Sequence, residues 1–250
     1  MELFILMVLI AFVSELIDSS LGMMYGTILS PLLIIFGFAP ELVVPSILFS
    51  QAMGGFMATF FHHKNHNAVF HPKSKDFKIA FLIFSFGIIA VVIGALVGSI
   101  VSGKFMNTYI GILCMIMGTI VLYGRSFLFS WTKVLSIGIV SSFNKALSGG
   151  GFGPIVASGL IISGQGEKQS IGTTDFAEAP ICFTAFLSWI IFNGYIPLTL
   201  LAPLTVGAIF GGLCGPFALA KIKSQRTIKI IVGILVVFLG LWTLLKTWVI

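Results

Sequence analysis

The 250-residue chain is 58% hydrophobic and only 9% charged, with a mean hydropathy of +1.12, which excludes a soluble domain. Its net charge of +6 comes from lysines and arginines at the ends of apolar segments, a distribution that favours membrane-topology signals over nucleic-acid binding. The composition therefore predicts an all-α integral membrane protein that crosses the lipid bilayer several times. The N-terminal stretch has no basic region or small-residue cleavage site, so we expect no cleaved signal peptide.

The first half opens with two apolar stretches, 3–17 and 26–36, on either side of the sequence DSSLGMMYG. At ~1.5 Å per helical residue, each stretch is too short to cross a bilayer core of ~30 Å comfortably. Three longer apolar segments follow at 41–61, 77–101 and 105–123. We therefore predict a pair of short helices and then three membrane-crossing helices.

The second half has the same order of segments. Short stretches at 134–147 and 154–162 flank the sequence SGGGFG, and longer segments follow at 169–192, 197–220 and 227–249. Each glycine costs a helix about 1 kcal/mol relative to alanine, so three in succession predict a break in the helix. In lipid, such irregular backbone is tolerated only where protein or a wet cavity covers it, which makes the break a candidate site.

The two halves align without gaps at an offset of 127 residues. This offset places Asp18 on Lys145, Gly22 on Gly149 and Gln51 on Glu178. The alignment predicts an internal duplication, with a first transmembrane repeat at 1–125 and a second at 126–250 that together form one integrated membrane domain.

Basic residues are concentrated in the loops at 62–78, 125–133 and 221–229, whereas the loops at 102–104 and 193–196 hold one basic residue and none. The positive-inside rule puts the first three loops in the cytoplasm and both termini outside. Each half then has an odd number of crossings, so the repeats are inverted relative to each other. This is the plan of secondary transporters of the cytoplasmic membrane, in which broken helices meet near the midplane.

Five ionisable residues fall within the predicted membrane segments, where such residues are costly and usually functional: Glu15, Asp18, Lys145, Asp175 and Glu178. A lysine beside the N-terminus of a new helix favours an oxyanion, so we expect Lys145 to supply positive charge to a small anionic substrate between the two breaks. Hydrogen bonds to that substrate are predicted from Asn144, Ser148, Gly149, Gly150, Ser19, Ser20, Gly22 and Gln51. The alternative is that Asp18 and Lys145 pair with each other.

Asp175 and Glu178 are three residues apart and share one face of a helix. Burial disfavours the charged form of a carboxyl group, so an intramembrane carboxyl can carry a proton through a transport cycle. We predict that Glu178 couples protons to transport, with Asp175 and Asp18 in the same role. The alternative is that these carboxylates only complement the dipole at the start of their helix.

The sequence favours neither metal nor cofactor chemistry. His62, His63, His66 and His71 fall in the predicted cytoplasmic loop among lysines, and we expect them to be solvated rather than to bind a metal. There is no nucleotide-binding GxxxxGK[ST] motif, and the enzyme motifs HExxH and GxSxG are absent. We therefore expect no cofactor and no enzymatic activity.

Two stretches, FVSELIDSSLGMMYGTILSPLL and SSFNKALSGGGFGPIVASGL, resemble the sulfite exporter TauE/SafE family of membrane permeases. The resemblance extends over essentially the whole chain through both repeats. It implies transport of sulfite, sulfoacetate or related organosulfur anions across the cytoplasmic membrane.

Together these observations predict a secondary transporter of a small oxyanion, sulfite or an organosulfonate. Two alternatives stay open: a cation or metal-ion permease that uses the four carboxylates with Lys145 as a counter-ion, and a membrane scaffold subunit that transports nothing. A homodimer is an assembly that the sequence allows.

Overall fold

The computed structural model describes the chain except for residues 1, 23, 124–130, 163, 196–197, 222–225 and 250. The described ranges form α-helices joined by short turns and contain no strand, so the prediction of an all-α protein is confirmed. The helices are α1 (Glu2–Leu21), α2 (Tyr25–Ile35), α3 (Pro40–Lys64), α4 (Lys75–Ile100), α5 (Gly103–Tyr123), α6 (Trp131–Ser148), α7 (Phe152–Ile162), α8 (Glu167–Asn193), α9 (Leu198–Lys221) and α10 (Arg226–Trp248).

Six of the described helices are long and apolar enough to cross a membrane: α1, α3, α4, α5, α8 and α9. Their outward surfaces carry large apolar side chains such as Phe81, Ile89 and Phe210, which suit contact with lipid tails. These helices support a membrane-embedded, multi-pass protein.

The first helix differs from its predicted length. We expected a stretch too short to cross the bilayer, yet α1 has 20 residues and is about 30 Å long. The helix continues past Ile17 because the polar residues of its last turn, Asp18, Ser19 and Ser20, are buried against protein. Hydropathy alone marks these residues as a break, whereas tertiary contacts let them remain helical.

The glycine breaks lie where the sequence predicts them. The first break, at Gly22 and Met24, lies between α1 and α2, and the second break (residues 149–151) joins α6 to α7. Gly22 has φ +75° and Gly149 has φ +77°, a left-handed conformation that glycine adopts without steric cost. In both breaks this glycine donates its N–H to a carbonyl one turn back, that of Asp18 at 2.6 Å and that of Lys145 at 2.8 Å.

The two broken helix pairs touch each other directly. A side-chain carbon placed on Gly26 would lie 1.6 Å from the carbonyl oxygen of Gly149. Two hydrogen bonds join the same segments: Gly151 N–H donates to Thr27 Oγ1 at 3.2 Å, and Ser30 Oγ–H donates to the Ser148 carbonyl at 2.7 Å. The start of α2 therefore crosses the second break at the distance of backbone contact.

The most extensive helix contacts are α1 with α9, α5 with α10, α3 with α9, α4 with α6, α4 with α8 and α3 with α8. If α1–α5 are exchanged for α6–α10 in order, α1–α9 becomes α4–α6, α3–α9 becomes α4–α8, and the pairs α3–α8 and α5–α10 are unchanged. A duplicated chain predicts this exchange pattern. Within it, α3 packs against its own counterpart α8, as α5 does against α10. Helices α3 and α8 are the most buried of the six long helices, so this pair lies at the centre of the bundle.

Small residues allow the closest helix approaches. Gly207, Gly211 and Gly215 on α9 face α1, and a side-chain carbon on Gly207 would lie 2.3 Å from the carbonyl oxygen of Val8. Glycines four residues apart on one helix face are a recurrent device for close packing in membranes, where association depends on van der Waals contact. This packing holds α1, and with it Glu15 and Asp18, against the core of the bundle.

Candidate functional site

The packing of α3 against α8 places Gln51 beside Glu178, the two residues that the offset of 127 aligns. Gln51 Nε2 donates to Glu178 Oε1 at 3.1 Å and to Asp18 Oδ2 at 3.0 Å. All three side chains are at most 3% exposed. The amide of Gln51 therefore joins a carboxylate from each half of the chain.

Lys145, in the last turn of α6, is the buried cation of this region and is 1% exposed. Its Nζ lies 2.7 Å from Glu178 Oε1 and also donates to the Oε1 oxygen of Gln51. The sequence left open a direct pair between Lys145 and Asp18. Among the described residues, Lys145 instead forms its ion pair with Glu178. Such a pair compensates part of the cost of burying two charges.

Asp18 has a different partner. Its Oδ1 accepts the backbone N–H of Tyr25, the first residue of α2, at 2.9 Å. A carboxylate in this position satisfies one unpaired N–H of the helix start and interacts favourably with the helix dipole. In the first half, the anion at the helix N-terminus is thus a side chain of the protein itself.

Asp175 lies one turn before Glu178 on α8 and contacts His62. The distance from His62 Nε2 to Asp175 Oδ2 is 3.0 Å, and His62 is fully buried. This finding corrects the prediction that His62 belongs to a solvated loop. Helix α3 continues to Lys64, and the absence of a side chain at Gly172 makes room for the imidazole between α3 and α8. His63, His66 and His71 are exposed.

Glu15 completes the group one turn before Ser19. Its Oε1 accepts from Ser19 Oγ at 3.2 Å, while its Oε2 is buried and has no hydrogen-bond partner. A buried carboxylate oxygen without a partner is costly. We call the set formed by Glu15, Asp18, Gln51, Lys145, Asp175 and Glu178 the central cluster.

The side chains of the central cluster surround a closely packed space that is too narrow for a water molecule. It is lined by Glu15, Asp18, Gln51, Gly55, Asp175, Glu178 and Ala179. Asp18, Asp175 and Glu178 each place one oxygen within 4.8 Å of the others, a spacing in which a cation fits. The ammonium group of Lys145 already supplies one positive charge there. Four carboxyl groups nevertheless share one ammonium, so the cluster is short of positive charge unless it takes up protons or cations.

A wider cavity lies away from this cluster, between the start of α3 and the ends of α4 and α8. Its lining includes Glu41, Ser99, Asn193 and Tyr195. None of its lining residues belongs to the central cluster, so it is not the charged site itself.

The remaining residues predicted to bind substrate have partners outside the central cluster or within their own helix turn. Asn144 accepts from the Tyr109 hydroxyl, and Ser148 Oγ accepts the N–H of Gly150 at 3.2 Å. Ser20 Oγ donates to the Ile17 carbonyl at 3.2 Å. The structure thus brings together Lys145, Gln51, Glu178, Asp175 and Asp18, whereas these serines and glycines hold the shape of the breaks.

Sequence reasoning placed His62 in a solvated loop and gave Glu15 a role only as one of the four carboxylates of the alternative cation permease. A signal for His62 was present, because the offset of 127 places His62 on Trp189 inside a membrane segment rather than in a loop. No comparable signal marks the unpaired oxygen of Glu15, because that oxygen is defined by packing of α1 against α3 and α9.

Membrane-spanning helices that enclose a buried charged cluster beside paired helix breaks define a membrane transporter. The chain belongs to the sulfite exporter TauE/SafE family, whose family model matches residues 7–243. It is also 25% identical over 265 residues to the probable membrane transporter protein YtnM of Bacillus subtilis (strain 168), an alignment that covers 100% of this chain and 85% of that protein. No solved structure matches this chain.

Proposed function

We propose that this transporter moves a small oxyanion, sulfite or an organosulfonate, across the cytoplasmic membrane and couples its movement to protons. The observation that carries the proposal is the buried contact of 2.7 Å between Lys145 and Glu178. A substrate anion and the Glu178 carboxylate compete for the same ammonium group. The family description, which refers to sulfite export, supports the same substrate class.

This competition gives a coupling mechanism. When Glu178 binds a proton it loses its charge, and Lys145 becomes available to an oxyanion at the same position. When the anion leaves, the proton leaves as well, because an unpaired buried ammonium would be costly. Asp175 and Asp18 each have an oxygen within 4.8 Å of a Glu178 oxygen, close enough for a proton to pass between the carboxyl groups. This proximity supports their proposed part in proton coupling.

The proposed transport cycle uses the repeat. The exchange pattern of helix contacts supports two repeats at 1–125 and 126–250, and the distribution of basic loops supports their inversion with both termini outside. Rocking of one repeat against the other would then expose the central cluster to one face of the membrane at a time. The homodimer remains a prediction from the sequence.

The first test is uptake of labelled sulfite into proteoliposomes, with sulfate, thiosulfate and sulfoacetate as competitors. We expect uptake to be driven by an imposed pH gradient and to be lost in Lys145→Ala. Lys73→Ala is the matched control, because Lys73 is exposed in the loop after α3. Full uptake by Lys145→Ala would overturn the proposed anion site.

A thermal-shift measurement on detergent-purified protein separates anion from cation binding. A ligand at a hundred times its dissociation constant should stabilise the protein by ~2.7 kcal/mol. We expect a sulfur oxyanion to stabilise the wild type but not Lys145→Ala. Stabilisation by divalent cations alone would instead indicate a cation permease. Lys145→Ala leaves the Glu178 carboxylate without its cation, which could by itself disturb the fold. The double variant Lys145→Met/Glu178→Gln removes both charges and should also show no stabilisation by a sulfur oxyanion.

A further inference from the structure

The two halves differ at one place beside the central cluster. The offset of 127 aligns His62 with Trp189 and Asp175 with Leu48. Trp189 Nε1–H donates to the carbonyl of Ala146, at 2.7 Å, in the last turn of α6. The ring of His62 lies against the backbone of Ser19, the residue aligned with Ala146, in the last turn of α1. Both halves therefore place a ring N–H against the helix turn that precedes the break.

Of these two rings, only the imidazole of His62 can take up and release a proton. Indole is a donor only, whereas imidazole can gain and release a proton at either nitrogen. The partner differs in the same way, since Asp175 replaces the apolar Leu48. The polar route from the central cluster therefore continues through Asp175 and His62 on one side of the bundle. The equivalent position on the other side is held by Leu48 and Trp189, both apolar in character.

The hydrogen bonds around His62 define its tautomer. Asn67 Nδ2 donates to the Pro216 carbonyl at 3.0 Å and lies 3.1 Å from His62 Nδ1. A carbonyl oxygen only accepts, so the amide nitrogen of Asn67 faces both groups and His62 Nδ1 accepts. The proton of the neutral ring is thus on Nε2 and is donated to Asp175 Oδ2 at 3.0 Å.

We propose that His62 and Asp175 form the proton path between the central cluster and the face of the molecule at the α3–α4 connection. A proton that binds to Nδ1 displaces the hydrogen bond from Asn67 and lets the Nε2 proton pass to Asp175, so one N–H bond forms as the other breaks. The ring then holds its proton on Nδ1, and it regains the Nε2–H form by taking up a proton at Nε2 and releasing the Nδ1 proton. When the proton at Nε2 comes from Asp175, this reverse sequence carries a proton outward. Asp175 then exchanges the proton with Glu178, one turn along α8.

The surroundings of His62 suit this role. Among the described residues, Asp175 is the titratable group that touches the ring. The backbone of Ser19 on α1 also lies against the ring, and the missing side chain of Gly172 on α8 leaves room for it. Glu178, Asp18 and Glu15 lie beyond Asp175, in the central cluster. On the other side of the ring lies the turn of Asn67, whose neighbour His66 is exposed. One turn of chain thus separates the ring from the surface.

This inference rests on the proposed proton coupling, and the test is designed to separate the two. Proteoliposomes would be assayed in two modes: net sulfite flux with a pH-sensitive dye, and exchange of labelled for unlabelled sulfite. During exchange, the proton that Glu178 releases with one anion stays on Asp175 or Asp18 until the next anion binds, so exchange needs no proton path to the surface. We expect His62→Gln to keep exchange but to lose net proton-coupled flux by about a hundredfold, in line with the loss of a positioned acid–base group.

Two further variants distinguish a proton path from a structural role. His62→Trp installs the residue of the second half and keeps a ring N–H, yet we expect the same loss of net flux as in His62→Gln. His62→Ala should recover net flux when imidazole is supplied on the face of the α3–α4 connection, and not when it is supplied on the opposite face. His63→Gln, an exposed neighbour, is the control and should behave as wild type.

The possible results distinguish a failure of the proton path from a failure of the proposed function. Equal loss of exchange and net flux in His62→Gln, or normal net flux in His62→Trp, would overturn the proton path while proton-coupled uptake by the wild type would still support the proposed function. If wild-type uptake shows no coupling to pH, the proposed function fails in its proton part and the path fails with it.

Discussion

At the scale of single residues, charge balance dominates the central cluster. Lys145 provides one ammonium group to a region with four buried carboxyl groups, and its closest contact is Glu178. Gln51 contacts both of these residues and Asp18 as well. Neutralising one member of such a group leaves its partner buried and uncompensated, which costs more than the original pair contributed.

The first prediction concerns Glu178→Gln. We expect the variant to lose about 3–5 kcal/mol of stability, because the buried Lys145 ammonium loses its closest counter-charge. Thermal unfolding in detergent measures this loss. Glu41→Gln is the control, since Glu41 is exposed in the first turn of α3 and should change stability by less than about 0.5 kcal/mol.

The double variant Lys145→Met/Glu178→Gln extends this prediction. Removing both charges should recover most of the lost stability, because the two members of the closest ion pair are removed together. Transport should stay absent, because the proposed anion site has lost its cation. A double variant as unstable as Glu178→Gln alone would show that the pair acts through shape rather than charge.

At the scale of the helices, the crossing of the two broken pairs depends on the absence of side chains. Gly26 at the start of α2 meets the Gly149 carbonyl, and Gly150 lies against the backbone of Gly26 and Thr27. Two polypeptide backbones can approach this closely only where neither carries a side chain. The glycines therefore serve both the turns within each break and the contact between the breaks.

We predict that Gly26→Ala separates the two breaks. The new methyl group would lie 1.6 Å from a backbone oxygen, so the backbone has to move, and we expect a loss of about 3 kcal/mol or more. Gly103→Ala is the matched control, because the nearest atom to its added carbon is 4.0 Å away, on Pro40. Thermal unfolding and sulfite uptake compare the two variants. Equal stability would mean that the breaks do not cross as described.

At the scale of the whole molecule, the arrangement of helices makes the two halves interlock. Each of the main contacts of one half has a counterpart under the exchange of α1–α5 for α6–α10, and α3 packs on α8 at the centre. The residues with the same position in the two repeats, Gln51 and Glu178, therefore meet each other. A site at such a centre has access to either face when the halves rock.

The predicted orientation can be tested by cysteine labelling. His66, in the basic α3–α4 connection, and Tyr195, after α8, are both exposed and are predicted to lie on opposite faces of the membrane. In intact cells, a membrane-impermeant maleimide should label Tyr195→Cys but not His66→Cys until the membrane is permeabilised. Labelling of both positions in intact cells would contradict inverted repeats with the termini outside. The parent protein is the control for its own cysteines, Cys114, Cys182 and Cys214.

Much of the fold could be read from the sequence, because its signals are local. Apolar segments long enough to cross a bilayer predict helices, and three adjacent glycines predict a break. The length of α1 could not be predicted in this way. Its last turn is polar, and only burial against protein shows that Asp18 and its neighbours remain helical.

The candidate site, like the fold, was predicted from the sequence only in part. The sequence by itself determined which buried groups carry charge, since an ionisable residue in an apolar segment is conspicuous wherever it occurs, as Lys145, Asp175 and Glu178 are. Only the tertiary structure decided their partners: Glu178 rather than Asp18 for Lys145, and His62 for Asp175. The physical reason is distance along the chain. Each of these contacts joins helices that are remote in sequence, and the crossing of α3 and α8 and the contact of the two breaks set which side chains meet.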